Sequence, residues 1–231
     1  MDIELNYLEK GKGEPLLLLH GNGEDLSYFS AQIEAFSADY RVIAIDTRGH
    51  GKSPRGKAPF TIAQFAEDLW AFMDAKKIDA AHSLGFSDGG NIALLFAMKY
   101  PDRVKTLILN GANLKPSGLK PLVLLPIVWQ YRLACRFAGK SKRAKRMAAL
   151  YSLMVNEPNI ESIALETLPM RTLVIVGKRD MVREKHSREI ASHIPHADLV
   201  IMKGDHFIAK KRPQVFHAAV LKFLKKESDA E

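Results

Sequence analysis

The stretch Ala80-Ala81-His82-Ser83-Leu84-Gly85-Phe86-Ser87-Asp88-Gly89-Gly90-Asn91-Ile92-Ala93-Leu94-Leu95-Phe96-Ala97 decides the fold. It joins an apolar run of strand length, Ala80 to Leu84, to an amphipathic helical pattern from Asn91 to Tyr100, through a glycine-rich bend. Within the bend, Gly85 to Gly89 satisfy G-x-S-x-G. That spacing suits a sharp strand-to-helix turn that lifts a serine out of a sheet, with glycines where side chains would collide with strand or helix. Ala81 to Gly85 nearly repeat the pattern around Ser83. A helix follows Ser87 directly, whereas Ser83 is followed by another glycine-rich bend, so Ser87 is the better nucleophile.

Unbroken apolar runs recur on both sides of this stretch. Leu16 to Leu19, Val42 to Ile45, Thr106 to Leu109 and Thr172 to Val176 each read as strands buried on both faces, as in a parallel sheet. Amphipathic stretches at 27–37, 62–76, 91–100, 183–194 and 213–225 alternate with them. The alternation predicts an α/β, doubly wound, mostly parallel sheet. At the N-terminus, a strand over Ile3–Leu8, a Lys10-Gly11-Lys12-Gly13 turn and a strand over Pro15–Leu19 predict an antiparallel hairpin. From Asn113 to Pro169 no strand is legible, only helix-like text. The chain therefore divides into a core of 1–112 and 170–231 and a helical cap of 113–169 between two strands. The apolar run Leu122 to Trp129 suits a surface turned to the core or to an apolar substrate.

The chain has 231 residues, of which 47% are hydrophobic and 26% charged, enough for one sizeable domain. Its start, Met1 to Tyr7, alternates like a strand and lacks a signal peptide's basic and apolar regions. No apolar run is long enough for a bilayer. A single cysteine, Cys135, allows no internal disulfide, which fits a cytoplasmic protein. The formal net charge of +8 is concentrated in Arg132, Arg136, Lys140, Lys142, Arg143, Lys145 and Arg146, a run without an acid. A solvated helix face is the plain reading. Attraction of an anionic substrate, an acidic partner or a membrane surface is the alternative. No nucleic-acid motif accompanies the run, so a nucleic-acid partner is not expected.

Further motifs follow in order. They are His20-Gly21-Asn22-Gly23 after the Leu16–Leu19 strand, Asp46-Thr47-Arg48-Gly49-His50-Gly51-Lys52-Ser53, the Gly85–Gly90 bend, and Tyr100-Pro101-Asp102-Arg103-Val104. Gly177-Lys178-Arg179-Asp180 and Gly204-Asp205-His206-Phe207 complete the series. This ordered set resembles the α/β-hydrolase superfamily over nearly the whole chain, in its capped serine-hydrolase branch with esterase-like members. The resemblance implies Ser87 as nucleophile, His206 as general base and Asp180 as the acid that orients it, in the chain order of this fold. Chemistry concurs: a serine hydroxyl needs a base near neutrality, and imidazole supplies one. Some relatives carry the acid after the preceding strand. Here Asn110-Gly111-Ala112-Asn113 offers no carboxylate there.

The resemblance also implies an oxyanion hole from the backbone N–H groups of Asn22 and Asp88. The Asp46–Ser53 loop is expected to be structural, Asp205 to cap its own turn, and Phe29, Phe86 and Phe207 to line the acyl pocket. The expected function is hydrolysis of a small carboxylic ester through an acyl-enzyme, with no metal or organic cofactor and a small molecule as the partner. Carbon–carbon bond hydrolases, lactonases, thioesterases, aminopeptidases and perhydrolases share these groups and remain open. A ligand-binding protein on the same scaffold is the alternative of another class.

Overall fold

The apolar runs become seven strands of one sheet: β1 (Tyr7–Lys10), β2 (Pro15–Leu19), β3 (Arg41–Ile45), β4 (Ala81–Phe86), β5 (Val104–Asn110), β6 (Arg171–Arg179) and β7 (Ala197–Asp205). The computed structural model describes residues 2–225. Strand order is β1-β3-β2-β4-β5-β6-β7, and every neighbouring pair but β1–β3 is parallel. Helices α1 (Ser30–Phe36), α2 (Ile62–Ala75), α3 (Asp88–Lys99), α4 (Pro121–Phe137), α5 (Lys142–Asn156), α6 (Glu184–His193), α7 (Ile208–Lys211) and α8 (Pro213–Lys225) complete the chain. Among the described residues, no helix is long and apolar enough to cross a membrane.

Because β2 to β5 are covered on both faces, the core divides into two layers. On one face Leu17, Leu19, Ile43, Leu107 and Leu109 pack against Phe65, Leu69 and Phe72 of α2, Ile92 and Phe96 of α3, and Ile190 of α6. On the other, Leu16, Leu18, Val42, Ala44 and Ile108 meet Ile33 and Phe36 of α1 and Phe216, Val220 and Phe223 of α8. Thr61 starts α2 by accepting a hydrogen bond from the Gln64 N–H at 3.1 Å. The winding reverses between β2 and β4, which are adjacent although β3 lies between them in sequence. Parallel sheets open a crevice at such a switch point, beyond the carboxyl ends of the strands.

The antiparallel N-terminal pair is present, but its partner differs from the expected one. β1 starts at Tyr7 and pairs with β3, Tyr7 opposite Ile45 and Lys10 opposite Val42, while β2 passes to the far side of β3. The Lys10–Gly13 turn is therefore no hairpin loop. Gly11, at φ +87°, lies so close to the Ser37 and Tyr40 carbonyl oxygens that a Cβ would sit 2.3 Å from the latter. The turn itself carries the chain across the end of β3, pinned against the α1–β3 connection.

The segment between β5 and β6 is helical, as its text predicts. Its α4 divides the Leu122–Trp129 run between two faces. Val123, Leu124, Ile127 and Val128 are half-buried, while Leu122, Leu125 and Trp129 are exposed. Only half of that run faces the body of the protein, because a helix periodicity of 3.6 cannot bury eight consecutive apolar residues on one side.

The Asp46–Ser53 loop is structural. Asp46 accepts hydrogen bonds from the Asn6 side chain and from the Leu26 and Lys52 N–H groups, all at 2.7–2.8 Å. Arg48, fully buried, makes a bidentate pair with Asp68 of α2 at 2.6 Å and reaches Asp2 with the same guanidinium. Breaking a buried pair leaves one charge uncompensated. Arg48→Met is therefore expected to destabilise the fold by about 3–5 kcal/mol in urea unfolding. Restoration by the second change Asp68→Leu identifies the stranded carboxylate as the cause; no recovery in the double variant would count against it.

Candidate active site

Ser87 follows β4 and caps α3 with φ +53° and ψ −121°, a region that non-glycine residues rarely enter. The conformation is enforced by close packing on both sides. A Cβ on Gly85 would lie 2.2 Å from the Gly89 carbonyl oxygen, and one on Gly89 would lie 2.0 Å from that of Leu19. The Ser87 N–H donates to the Asn110 carbonyl at 2.8 Å, and its own carbonyl accepts from Gly90 and Asn91. Ser87 is half-buried at the carboxyl edge of the sheet; Ser83 is wholly buried within β4.

His206 follows β7, and Asp180 follows β6. Their side chains meet: Nδ1 of His206 lies 2.7 Å from Oδ1 of Asp180, both groups being buried. A proton on Nδ1 donated to that carboxylate leaves Nε2 free to accept one. The Asp180 carboxylate also accepts from the Val182 N–H at 3.0 Å and the Gly177 N–H at 3.2 Å. Burial pushes its pKa up, but the bond to His206, the imidazole charge and the two amides outweigh burial and hold it below its ordinary value. Asp205 turns the other way, accepting from the Phe207 N–H and from Lys211. The Ser87 hydroxyl makes no hydrogen bond among the described residues, and such bonds commonly tighten only with substrate in place.

Two other carboxyls lie in the field of His206. Burial pushes Asp88 up to about 6, against the opposing pull of Asn22 and His206. Burial likewise raises Glu24 up to about 7, and one of its oxygens is buried without a partner. Of the three acids, Asp180 alone is favoured as the ion throughout the neutral range. Other histidines, three of them buried and His186 half-buried, have other occupations. His20 accepts from the Thr47 N–H at 3.1 Å and lies 2.8 Å from the Gly21 carbonyl; His82 bridges Thr106 and Glu14; His186 accepts from the Leu114 N–H. Burial holds His50 down to about 4, beside His20.

The Asp88 N–H opens α3, where no intrahelical acceptor exists. Asn22 lies in the loop after β2, and its side chain donates to the Leu150 carbonyl of α5 at 2.8 Å. The three phenylalanines separate. Phe29 is fully buried and presents its neighbour Tyr28 with a T-shaped contact; it belongs to the core layer beneath the site. Phe86 is buried too, stacked on Tyr28 at 4.3 Å with its ring 4.8 Å from that of His206. Phe207 is half-exposed. Among the described residues no group of His, Cys, Asp and Glu is arranged to hold a metal ion.

One residue was not legible as part of the site. Gly111, at φ +65°, seats the imidazole: a Cβ there would lie 2.8 Å from Cε1 of His206 and 2.9 Å from Nδ1. Its signal in the sequence is an Asn-Gly pair directly after a strand, which reads only as a turn.

A family model for the alpha/beta hydrolase fold matches residues 14–134, and one for serine hydrolases (FSH1) matches residues 76–217. The chain belongs to the α/β-hydrolase fold family. Within it, this hydrolase is 30% identical to a protein from Caulobacter sp. (strain K31) named carbamate hydrolase RutD, over 93% of this chain and 92% of that one. It is similar in structure to an enol-lactonase from Burkholderia xenovorans LB400, with 26% identity, a TM-score of 0.78 and coverage of 96% and 97%. A thermophilic esterase from Thermogutta terrifontis, with malate bound, gives 25% identity, a TM-score of 0.82 and coverage of 97% and 94%.

The raised Asp88 carboxyl has a consequence for stability. Unfolded, it loses its proton near pH 4; folded, it keeps the proton to about 6. Folded protein thus binds more protons between those values, and the stability it contributes at low pH is lost as pH rises through them. Asp88→Asn is expected to be more stable than wild type by on the order of 2 kcal/mol at pH 7.5, and equal to it at pH 4. Urea unfolding at both pH values decides, and an equal gain at both would refute the account.

Proposed function

We propose that this hydrolase cleaves small carboxylic esters through an acyl-enzyme on Ser87, with His206 as base, Asp180 as orienting acid and residues 113–169 as a cap over the site. The observation that carries this reading is the 2.7 Å contact between Asp180 and His206, which follow β6 and β7 at the same carboxyl edge of the sheet where Ser87 follows β4 at φ +53°. In this reading His206 Nε2 takes the Ser87 proton as Oγ attacks the acyl carbon. The negative charge that forms on the carbonyl oxygen meets the N–H groups of Asn22 and Asp88. His206 then gives its proton to the departing alcohol, afterwards takes one from the water that attacks the acyl-enzyme, and returns it to Ser87 Oγ as the Oγ–acyl bond breaks and the carboxylic acid leaves. Asp180 stabilises the imidazolium and fixes its tautomer. Phe207, half-exposed beside His206, is the aromatic residue best placed to touch the acyl group; Phe29 and Phe86 brace the site from below.

The enol-lactonase and the esterase support an ester link as the bond, and the protein named carbamate hydrolase extends the candidates to a carbonyl flanked by nitrogen. A panel of p-nitrophenyl esters of increasing chain length, an enol-lactone and a carbamate ranks them by kcat/KM; an optimum on the shortest esters or the lactone is expected. A fluorophosphonate probe should label wild type at Ser87. Ser87→Ala is expected to lose labelling and turnover, Asp180→Asn to lose about 10³- to 10⁴-fold in kcat, and Ser83→Ala to keep most activity. Wild-type turnover by Ser87→Ala would sink the assignment. Gly111→Ala, which pushes on the imidazole, is expected to lower kcat about 100-fold with a smaller change in KM, because a shift of about 1 Å at a catalytic group suffices for that.

A further inference from the structure

The outer face of α4 carries an apolar line that the fold does not use. Leu122, Leu125, Trp129, Leu133 and Phe137 follow one another at intervals of three or four residues, and they are 90%, 65%, 73%, 49% and 46% exposed. The opposite side of the helix, through Ile127, Val128 and Tyr131 to the buried Ala134, already supplies its contact with the protein. An exposed apolar stripe of this length marks a binding surface.

Beside this line lies the cationic run. Arg132 and Arg136 are on α4, Lys140 is in the connection, and Lys142, Arg143, Lys145 and Arg146 open α5; all seven are exposed. No acid occurs from Pro121 to Asn156, and among the described residues none of the seven cations pairs with a carboxylate. Four of them crowd the first turns of α5, where the helix dipole favours acids. Their placement works against the helix, so a solvated face tuned for stability does not explain it. Between α4 and α5 runs an open groove of about 460 Å³, whose lining includes Leu133, Phe137 and Met147 together with Lys140 and Arg143.

We propose that the α4–α5 hairpin docks this protein on an anionic lipid surface. The apolar line enters the boundary between headgroups and acyl chains, with the Trp129 indole at headgroup level, and the cations meet lipid phosphates and carboxylates. A second copy of the chain is a poorer occupant: an isologous contact would set seven unpaired cations against seven. An acidic protein answers the charge but not the continuous apolar line. The inference rests on this surface alone and is independent of the bond cleaved at Ser87.

The test uses the full chain with large unilamellar vesicles of phosphatidylcholine, with and without phosphatidylserine. Co-flotation is expected only with phosphatidylserine, to be lost at about 0.5 M NaCl, where screening is nearly complete within a few ångströms. Brominated phosphatidylcholine mixed with phosphatidylserine should quench indole emission, and Trp129→Phe should remove that quenching. The variant K142A/R143A/K145A/R146A is expected to lose more than about 100-fold in partitioning, and L125S/W129S to lose it entirely. Unchanged circular-dichroism melting excludes misfolding as the cause, since every altered side chain is exposed. Absence of binding to phosphatidylserine vesicles overturns the proposal, as does equal, salt-resistant binding to both vesicle types. So does a salt-stable dimer in light scattering that L125S/W129S converts to monomer without any vesicle binding, which would assign the face to self-association.

Discussion

The turn from β4 into α3 is built from backbone packed on backbone. Gly85 lies against the Gly89 carbonyl, and Gly89 lies against the carbonyls of Leu19 and His20, at separations that leave no room for a methyl group. Only that approach lets α3 start directly over the end of β2, with Ser87 held at φ +53°. Positive φ is costly for serine, and it persists because the surroundings over-determine it: the Ser87 N–H is fixed by Asn110 and its carbonyl by Gly90 and Asn91. Everything else in the site is referenced to this turn. The loop at 20–23 leaves β2 beside it, and the Asn110–Gly111 corner that seats His206 is bonded to it. The switch in strand order between β2 and β4 opens the crevice that these parts share.

Electrostatics then sort groups that sequence leaves equivalent. Asp88, Glu24 and Asp180 are all acids near one imidazole. Asp180 has two amide donors and the imidazole itself, which together outweigh its burial. Asp88 and Glu24 have too few donors for their burial, so both rise towards neutrality. The difference comes from hydrogen-bond supply rather than depth. Asp180 is thereby the carboxylate that the imidazole meets directly, through Nδ1 at 2.7 Å.

Much of this was legible because it depends on local rules. Helices over 62–75, 184–193 and 213–225 fall within a residue of the periodic stretches, and the buried strands coincide with unbroken apolar runs. Asp180 and His206 were legible through the motifs at 177–180 and 204–207 and the resemblance they carry, and they follow β6 and β7. What escaped were relations between distant segments. β1 pairs with β3, and the turn after it packs on the backbone of Ser37 and Tyr40, contacts that no short-range turn rule can see. Phe29 and Phe207 are the same residue type near the same site; only tertiary packing makes one of them core and leaves the other half-exposed. Gly111 shows the same limit, because the group it must not touch lies 95 positions away in the chain.

The segment between β5 and β6 is joined to the site by polar contacts as well as by packing. Leu150 and Leu153 are buried against the body of the protein, the Leu150 carbonyl accepts from the Asn22 side chain, and Glu157 accepts from the Ile62 N–H at the start of α2. Asn22 belongs to the loop that His20 anchors from the other side, through Thr47. That loop is thus held between a rigid core and α5. Its backbone geometry depends on where α5 rests, and α5 rests where α4 allows, since the two helices pack along their lengths. The least patterned text in the sequence therefore has a mechanical claim on the most constrained part of the structure. On these contacts, change on the exposed outer face of α4 is expected to leave the fold intact, and change on the inner faces of α4 and α5 to reach the loop at 20–23 through the Leu150–Asn22 bond.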